Sequence, residues 1–388
     1  MTTRENHRNS AADRARIALL IETSSAHARG LIRGIAAYAR MHTRWSLHVG
    51  EAGPLTTAPA WLKTWEGDGI IARLETPQIA RAVVATRLPA VNVSGYPSPP
   101  GVPRVDTDNR LLCRLVADHF RERGYRHFAY VGDPRHEWSG WREKHFLEGL
   151  GNRAECHVWQ LQDGGARGAG QLEKWLTALP QPTALFACND ACGKIVLEAC
   201  EAMGIAVPGQ IAVLGVDDDE ILCMCCRPQL SSVAPDTEGI GYLAAQTLHQ
   251  QLRQGETTVP ERLLRPLAIR SRQSTDATAV SDWHVGQALR FIHANATHDL
   301  RVDHVVAQAQ TSRRFLEERF RAVVGRPIHA EILRIRLETA QRLLTTTDLP
   351  LKTIAQRSGF RRADYLSAIF RKLLGMPPSA YREQFSSK

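Results

Sequence analysis

The chain has 388 residues, 43% of them hydrophobic and 23% charged, a globular composition that excludes a wholly disordered or fibrous protein and favours two or three packed units. The formal net charge is +9, and residues 281–388, with 18 Lys and Arg against 10 Asp and Glu, carry +8 of it, so a polyanionic partner would engage the C-terminal quarter alone. Eight cysteines in so long a chain are too sparse for a disulfide scaffold and fit a reducing compartment.

Residues 1–15 read as a polar, basic tail. The first apolar run, Ile17 to Ile21, is too short for a signal peptide or a membrane span, so a cytoplasmic protein without a membrane partner is expected. From 16 to 276 short β-rich runs alternate with amphipathic stretches: ALLIE, DGIIAR, PAVNVS, HFAYVG, TALFACND and IAVLGVDDD, with helices over 111–123 and 193–203 among the intervening stretches. Alternation of this kind means βαβ units and parallel sheets, and continuous apolar strands mean burial on both faces. Two lobes are expected, with crossovers near Val105, Val233 and Leu264.

Parallel α/β sheets bind small molecules beyond the carboxyl ends of their strands. The residues there are Thr23 to Ser25, Asn92 to Gly95, Asp106 to Asn109, Trp138 to Arg142, Asn189 and Asp190, and Asp217 to Asp219. Carboxylates that accept from adjacent hydroxyls, a bidentate arginine and an aromatic face make a plausible carbohydrate site. For Asp190 and Asp217, helix N-capping is an equal reading, and for the tryptophans core packing is the commoner one. Cys223, Cys225 and Cys226 allow a metal or redox reading, but C-x-C-C lacks a second ligand pair, so neither a metal nor a cofactor is expected.

SRQSTDATAVS, at the end of this region, is small and polar without periodicity, and the linker is set at 277–284. No β-alternation follows. Helical patterns over 282–296, 302–309, 312–323, 328–344, 351–357 and 362–373, and a short one near Ser379, make an all-α domain over 285–385. Within it two segments repeat at a shift of about fifty residues. Val306-Ala307-Gln308 answers to Ile354-Ala355-Gln356, Phe315-Leu316 to Tyr365-Leu366, Phe320 to Phe370, Gly325 to Gly375 and Pro327 to Pro377. Each copy is a short helix, a turn and a second helix that ends at a glycine.

Such pairs place two recognition helices in successive major grooves, about 34 Å apart along B-DNA. Gly359 suits a tight turn and Ser312 an N-cap. With Phe315, Leu316 and Phe320 inward, the first recognition helix leaves Arg313, Arg314, Glu317, Glu318 and Arg321 outside. With Tyr365, Leu366, Ile369 and Phe370 inward, the second leaves Arg361, Arg362, Asp364, Ser367 and Arg371 outside, and Lys372 follows as a phosphate contact. Arginine reads guanine bidentately and a carboxylate accepts from cytosine, so double-stranded DNA is the expected partner.

The segment IAQRSGFRRADYLSAIFRKLLGMPPSAYR, and the region from about Val285 to Gln384 around it, resembles the DNA-binding domain of AraC/XylS-type regulators, departing at Ala368, where that family has a basic residue. Residues 16–276, through RVDTDN, ACNDACGK, VLGVDDD and PQLSSVAPDTEGIGYLAAQTLHQQL, resemble the periplasmic-binding-protein-like sensor of LacI/GalR regulators. That family carries its helix-turn-helix before the sensor, whereas a polar tail stands there in this sequence.

The joint resemblance implies a two-lobed α/β sensor of parallel sheets followed by an all-α domain with two helix-turn-helix motifs. It also implies a transcription regulator controlled by a small sugar, a pentose and D-xylose first, acting as a homodimer, with RNA polymerase as a further partner. The effector candidates are Ser25, Arg29, Trp141, Arg142, Asp190, Asp217 and Asp218, of which the resemblance carries Arg142, Asp190 and Asp217. A regulator of another polar molecule or of metal and redox state stands as an alternative. A sugar-modifying enzyme with a DNA-binding tail is a further one, but the sequence shows no Ser/His/Asp order, glycine-rich phosphate loop or metal-ligand pair, and no enzyme is expected.

Overall fold

The computed structural model describes residues 14–50, 57–151, 154–161, 165–255, 261–276 and 282–385. Most of the expected N-terminal tail, residues 1–13, and residues 277–281 of the expected linker lie outside the described residues. The chain divides into two compact units, Met1–Arg121 with Arg126–Asp276, and Glu122–Tyr125 with Ala277–Lys388.

The first unit holds two parallel sheets. One has the order β2-β1-β3-β4, built from β1 (Arg16–Leu20), β2 (Ser46–Val49), β3 (Gly69–Ala72) and β4 (Ala90–Asn92). The other runs β12-β10-β9-β8-β6-β7, from β6 (His127–Gly132), β7 (Cys156–Gln160), β8 (Thr183–Ala187), β9 (Ile211–Val216), β10 (Ser231–Ala234) and β12 (Ala268–Arg270). Only its edge strand β12 is antiparallel. Central β8 and β9 are buried at every residue, which is why they read as unbroken apolar runs. Edge strand β2 alternates polar and apolar residues, and edge strand β7 is nowhere fully buried.

A parallel pair of β5 (Val105–Thr107) and β11 (Arg262–Leu264) belongs to neither sheet. The chain leaves the first lobe through β5, returns to it with the helix that follows β10, and reaches the second sheet again at β12 after β11. Three passages of this kind tie the lobes by short segments, at the positions where crossovers are expected.

Helix α1 (Ala26–His42) starts on Ser25, whose Oγ accepts from the Ala28 N–H, and buries Leu31, Ile35 and Tyr38 on the first sheet. Beside it lies α8 (Thr237–Gln254), whose Ile240, Ala244 and Leu248 share that core. The two backbones nearly touch: a Cβ on Gly34 would stand 2.0 Å from the Glu238 carbonyl oxygen, and one on Gly241 2.0 Å from that of Leu31. Only glycine permits that approach. The other helices of this unit are α2 (Pro77–Ala85), α3 (Asn109–Glu122), α4 (Glu137–Leu150), α5 (Gly165–Ala178), α6 (Asp190–Ala202) and α7 (Glu220–Cys225).

The second unit is helical: α9 (Trp283–Asn295), α10 (Val302–Gln308), α11 (Arg313–Val324), α12 (Ile328–Thr346), α13 (Leu351–Arg357), α14 (Ala363–Leu374) and α15 (Pro378–Phe385). It has two small cores. Val285, Leu289, Val305, Leu316 and Phe320 form the first, and Ile354, Phe360, Leu366 and Phe370 the second. Helix α12 serves both, giving Ile328 and Ile332 to one and Leu337, Ala340 and Leu344 to the other. The repeat in the sequence is thus two helix-turn-helix pairs strung on one long helix. Gly325, Gly359 and Gly375 take φ of +79°, +82° and +73°, where a side chain would be strained.

Candidate effector cleft and nucleic-acid interface

Parallel strands deliver their following residues to one edge, and in the first unit those edges enclose a cavity of about 530 Å³. After β1 come Glu22 and Ser25, and after β3 Arg73 and Glu75; Asp106 and Asn109 come from β5 and the start of α3. From the second lobe come His136, Trp138, Arg142, Asn189 and Asp217. Arg73 makes ion pairs with Glu22 and with Glu75, the latter at 2.7 Å. Burial works against the Glu75 carboxylate, but Arg73 and then His136 outweigh it and hold its pKa down at about 2. The Arg73 guanidinium is held above its ordinary value against burial by the same two carboxylates.

Two histidine pairs cross between the lobes. His27 Nδ1 lies 3.4 Å from Asp217 Oδ1, and His136 Nδ1 lies 3.4 Å from Glu75 Oε2. Despite burial, the His27 contact lowers the Asp217 pKa, whereas Asp106 is raised by burial. Arg142, only 5% exposed, donates from Nε to Asn109 Oδ1 at 3.0 Å and from Nη1 to the Cys188 carbonyl at 2.5 Å. Its guanidinium lies 4.8 Å from the Trp138 ring centre, and His136 stacks on that ring at 4.9 Å. The Trp138 Nε1–H is buried with no hydrogen-bond acceptor among the described residues. Nε and Nη1 of Arg142 are thus committed, while its Nη2 makes none of these bonds.

Of the expected effector residues, Ser25, Arg142 and Asp217 line this cavity; Arg29, Trp141, Asp190 and Asp218 do not. Arg29 donates from Nη1 to the Thr23 and Ser24 carbonyls at 3.1 and 2.7 Å, bracing the loop that carries Ser25. Trp141 sits one helical step away from Trp138 and lies under the Arg104 guanidinium at 4.5 Å. Asp218 is drawn off by Arg272, 2.7 Å away.

Asp190 lies beneath the cavity. It accepts from Ser232 Oγ at 2.5 Å, from the Asp219 N–H at 2.9 Å and from Cys223 Sγ at 3.4 Å, and burial followed by the nearby Asp217 pushes its pKa well above the carboxylate range. These bonds hold a strained turn in which Asp217 and Asp218 take φ of +110° and +47°. Asp190 therefore positions Asp217. The helix caps of this region are Asn189 for α6 and Asp219 for α7, not Asp190 or Asp217.

Glu22, His27, Arg73, Glu75, Thr76, Arg135 and His136 line the cavity without having been expected there. Arg73 closes the recognised run DGIIAR and Glu75 and Thr76 follow it, so the rule applied to the other strands reaches them. His27 offers no such signal, because it stands inside α1.

On the second unit all ten expected DNA-contacting residues lie on or at the start of α11 and α14, and all but Ser367 are exposed. Ser312 caps α11, accepting from the Phe315 N–H at 3.3 Å, whereas Arg362 at the same place before α14 makes no side-chain cap. Arg313 pairs with Asp303 and Glu317, each at 3.0 Å, Arg361 with Asp299 at 2.7 Å and Arg362 with Asp364 at 2.7 Å. Among the described residues Arg314, Glu318, Arg371 and Lys372 have no such partner. Ser367 is half-buried and its Oγ donates to the Ala363 carbonyl of its own helix. Phe315 and Tyr365, expected inward, are 45% and 53% exposed: each stands one residue before the buried leucine, so the helix turns it toward the rim.

A two-lobed parallel α/β sensor joined in one chain to tandem helix-turn-helix motifs is the architecture of a ligand-responsive transcription regulator. Comparison with known proteins gives the same class. A periplasmic binding protein-like domain matches residues 117–275, a helix-turn-helix domain 305–384, and a XylR N-terminal domain 16–110. The xylose operon regulatory protein of Escherichia coli K12 is 32% identical over 383 residues, covering 95% of this chain and 97% of its own length. That of Haemophilus influenzae is 30% identical over 381 residues, covering 95% and 98%. A solved xylose-binding transcription activator superimposes with a TM-score of 0.63 at 32% identity, over 96% of this chain and 99% of its own. The chain belongs to this family of AraC-type helix-turn-helix transcription regulators with a periplasmic-binding-protein-like sensor, a family of regulators and not of enzymes.

Proposed function

We propose that the cleft takes a neutral pentose, D-xylose first, and that its occupancy sets how strongly the paired helix-turn-helix motifs hold promoter DNA. The observation that carries this is the near balance of charge among the residues that line the cavity: Arg73, Arg135 and Arg142 stand against Glu22, Glu75 and Asp217, and burial raises the pKa of Asp106, so a ligand need bring hydroxyls and no net charge. Trp138 offers a ring face to sugar C–H groups and an unused N–H to a hydroxyl. The size of the cavity suits a monosaccharide with some water. The names of the full-length relatives support xylose over other pentoses.

Sugar favours closure only by binding the closed lobes better than the open ones. Ser25, Arg142 and Asp217 are the expected effector residues that retain a place in this reading. On the DNA side, Arg313, Arg314, Glu317, Glu318, Arg361, Arg362, Asp364 and Arg371 read or flank base edges, with Lys372 on phosphate. Two copies acting as a homodimer in the cytoplasm would read two such double sites, and RNA polymerase is the partner of an activator so placed. Among the described residues no helix is long and apolar enough to cross a membrane.

Isothermal titration with D-xylose, D-ribose and L-arabinose tests the effector, with D-xylose expected to bind most tightly. An absence of heat at millimolar D-xylose discards the sugar, and heat from another pentose alone reassigns it.

A further inference from the structure

Two cysteines behind the cavity wall stand apart from the other six. Cys188 follows β8 and Cys192 lies in the first turn of α6; both are buried, and their sulfurs are 3.2 Å apart. The segment between them is part of the site. The Cys188 carbonyl holds Arg142, and Asn189, which lines the cavity, accepts from the Cys192 N–H at 2.9 Å. Two thiols in contact at a strand-to-helix turn need their sulfurs to approach by only about 1.2 Å to reach a disulfide length of about 2.05 Å.

We propose that Cys188 and Cys192 form a reversible disulfide with a peroxide as oxidant, and that the bridge weakens effector binding by displacing Arg142 and Asn189. The second half rests on the sugar reading above.

The chemistry favours Cys188 as the sulfur that reacts first. Burial opposes its ionisation, but hydrogen bonds from Cys192 and Ser139 and the charge of Arg142 outweigh it and lower its pKa. Cys113, Cys156, Cys192, Cys200, Cys223 and Cys226 are all raised. The Cys188 thiolate attacks one peroxide oxygen, the O–O bond breaks, and the departing hydroxide takes up the proton that the thiol gave, leaving a sulfenic acid and water. Cys192 sulfur then attacks that sulfenic sulfur. The S–S bond forms, the S–O bond breaks, and the hydroxyl leaves with the Cys192 proton as a second water. In sum two thiols and one hydrogen peroxide give one disulfide and two waters, and a dithiol reverses it.

The bridge joins the end of the strand to the first turn of the helix. Drawing the sulfurs together pulls on the backbone that carries the Cys188 carbonyl and on the helix turn that Asn189 caps, and through them the bridge weakens the charged hydrogen bond that orients Arg142. Loss of one such bond lowers effector affinity by about tenfold.

The test uses the full chain, folded and reduced, treated with hydrogen peroxide, blocked with maleimide and mapped by peptide mass spectrometry. A peptide linking Cys188 to Cys192, absent from Cys192→Ser and removed by dithiothreitol, is expected. Titration of the linked and the reduced protein with D-xylose is expected to differ by about tenfold, with dithiothreitol restoring the tighter value and Cys188→Ser, which lacks the sulfur that peroxide attacks, insensitive to peroxide. Maleimide on both residues after peroxide treatment overturns the proposal, as does a linked protein that binds the sugar as well as the reduced one. A Cys188–Cys192 link in a protein whose reduced form gives no heat with D-xylose supports the cysteine pair and counts against the sugar alone.

Discussion

The cleft and the two reading helices use the same groups, arginines beside carboxylates, for opposite ends. In the cleft Arg73 is buried with Glu22 and Glu75, and Arg142 is fixed by Asn109 and a backbone carbonyl, so removing any member strands a charge away from water. On α11 and α14 the pairs of Arg313, Arg361 and Arg362 are all exposed. Pairs of that kind are worth about 0–1 kcal/mol, little enough for a phosphate or a guanine to replace the carboxylate. Burial makes the first set a rigid template, and solvent leaves the second free to change partners.

The largest effect should follow from breaking the buried set. Arg73→Met leaves Glu22 and Glu75 unpaired and should cost about 3–5 kcal/mol of unfolding free energy in urea, together with effector binding. A loss under about 1 kcal/mol would make the cleft pair no different from a surface one.

Acid titration sharpens the same contrast. Folding lowers the Glu75 pKa from 4.5 to about 2, so its contribution to stability is full above 4.5 and is lost as pH falls through about 2. Unfolding curves of Glu75→Gln should therefore lie below those of the parent protein at pH 6 and converge with them near pH 2. Curves parallel over that range would remove the buried pair as a source of stability.

On the exposed set, Arg314→Ala should cost about 1–3 kcal/mol at one base position of the operator, whereas Lys372→Ala should weaken all sequences alike and reduce the salt slope by about one. A DNA affinity that ignores salt would sink the reading of the basic unit. The smallest effect belongs to Ser312→Ala, about 1 kcal/mol from the lost cap of α11, with no counterpart at Arg362.

Much of this was legible in the residues. The repeat around Phe320 and Phe370, the glycines after each second helix and the cap at Ser312 specify the helical unit, because apolar spacing and capping are local properties. Phe315 and Tyr365 escaped, since a residue next to a buried leucine lies about 100° around the helix and only packing decides whether that edge is covered. In the sensor, strand ends located Ser25, Arg142 and Asp217 but also suggested Trp141 and Asp218, which face elsewhere. Three positions separate Trp138 from Trp141, and the partner of Arg104 cannot be read from spacing.

Composition, charge and periodicity by themselves determined that a neutral parallel α/β sensor precedes a basic helical unit with a doubled reading motif, because each follows from residues near one another in the chain. Tertiary structure alone decided that Arg73 meets Glu22 fifty-one positions away, that His27 faces Asp217 across the lobes, and that Asp190 supports the cleft from below. Those pairings depend on how the separate strand ends converge, and electrostatic matching at a distance in sequence leaves no periodic trace.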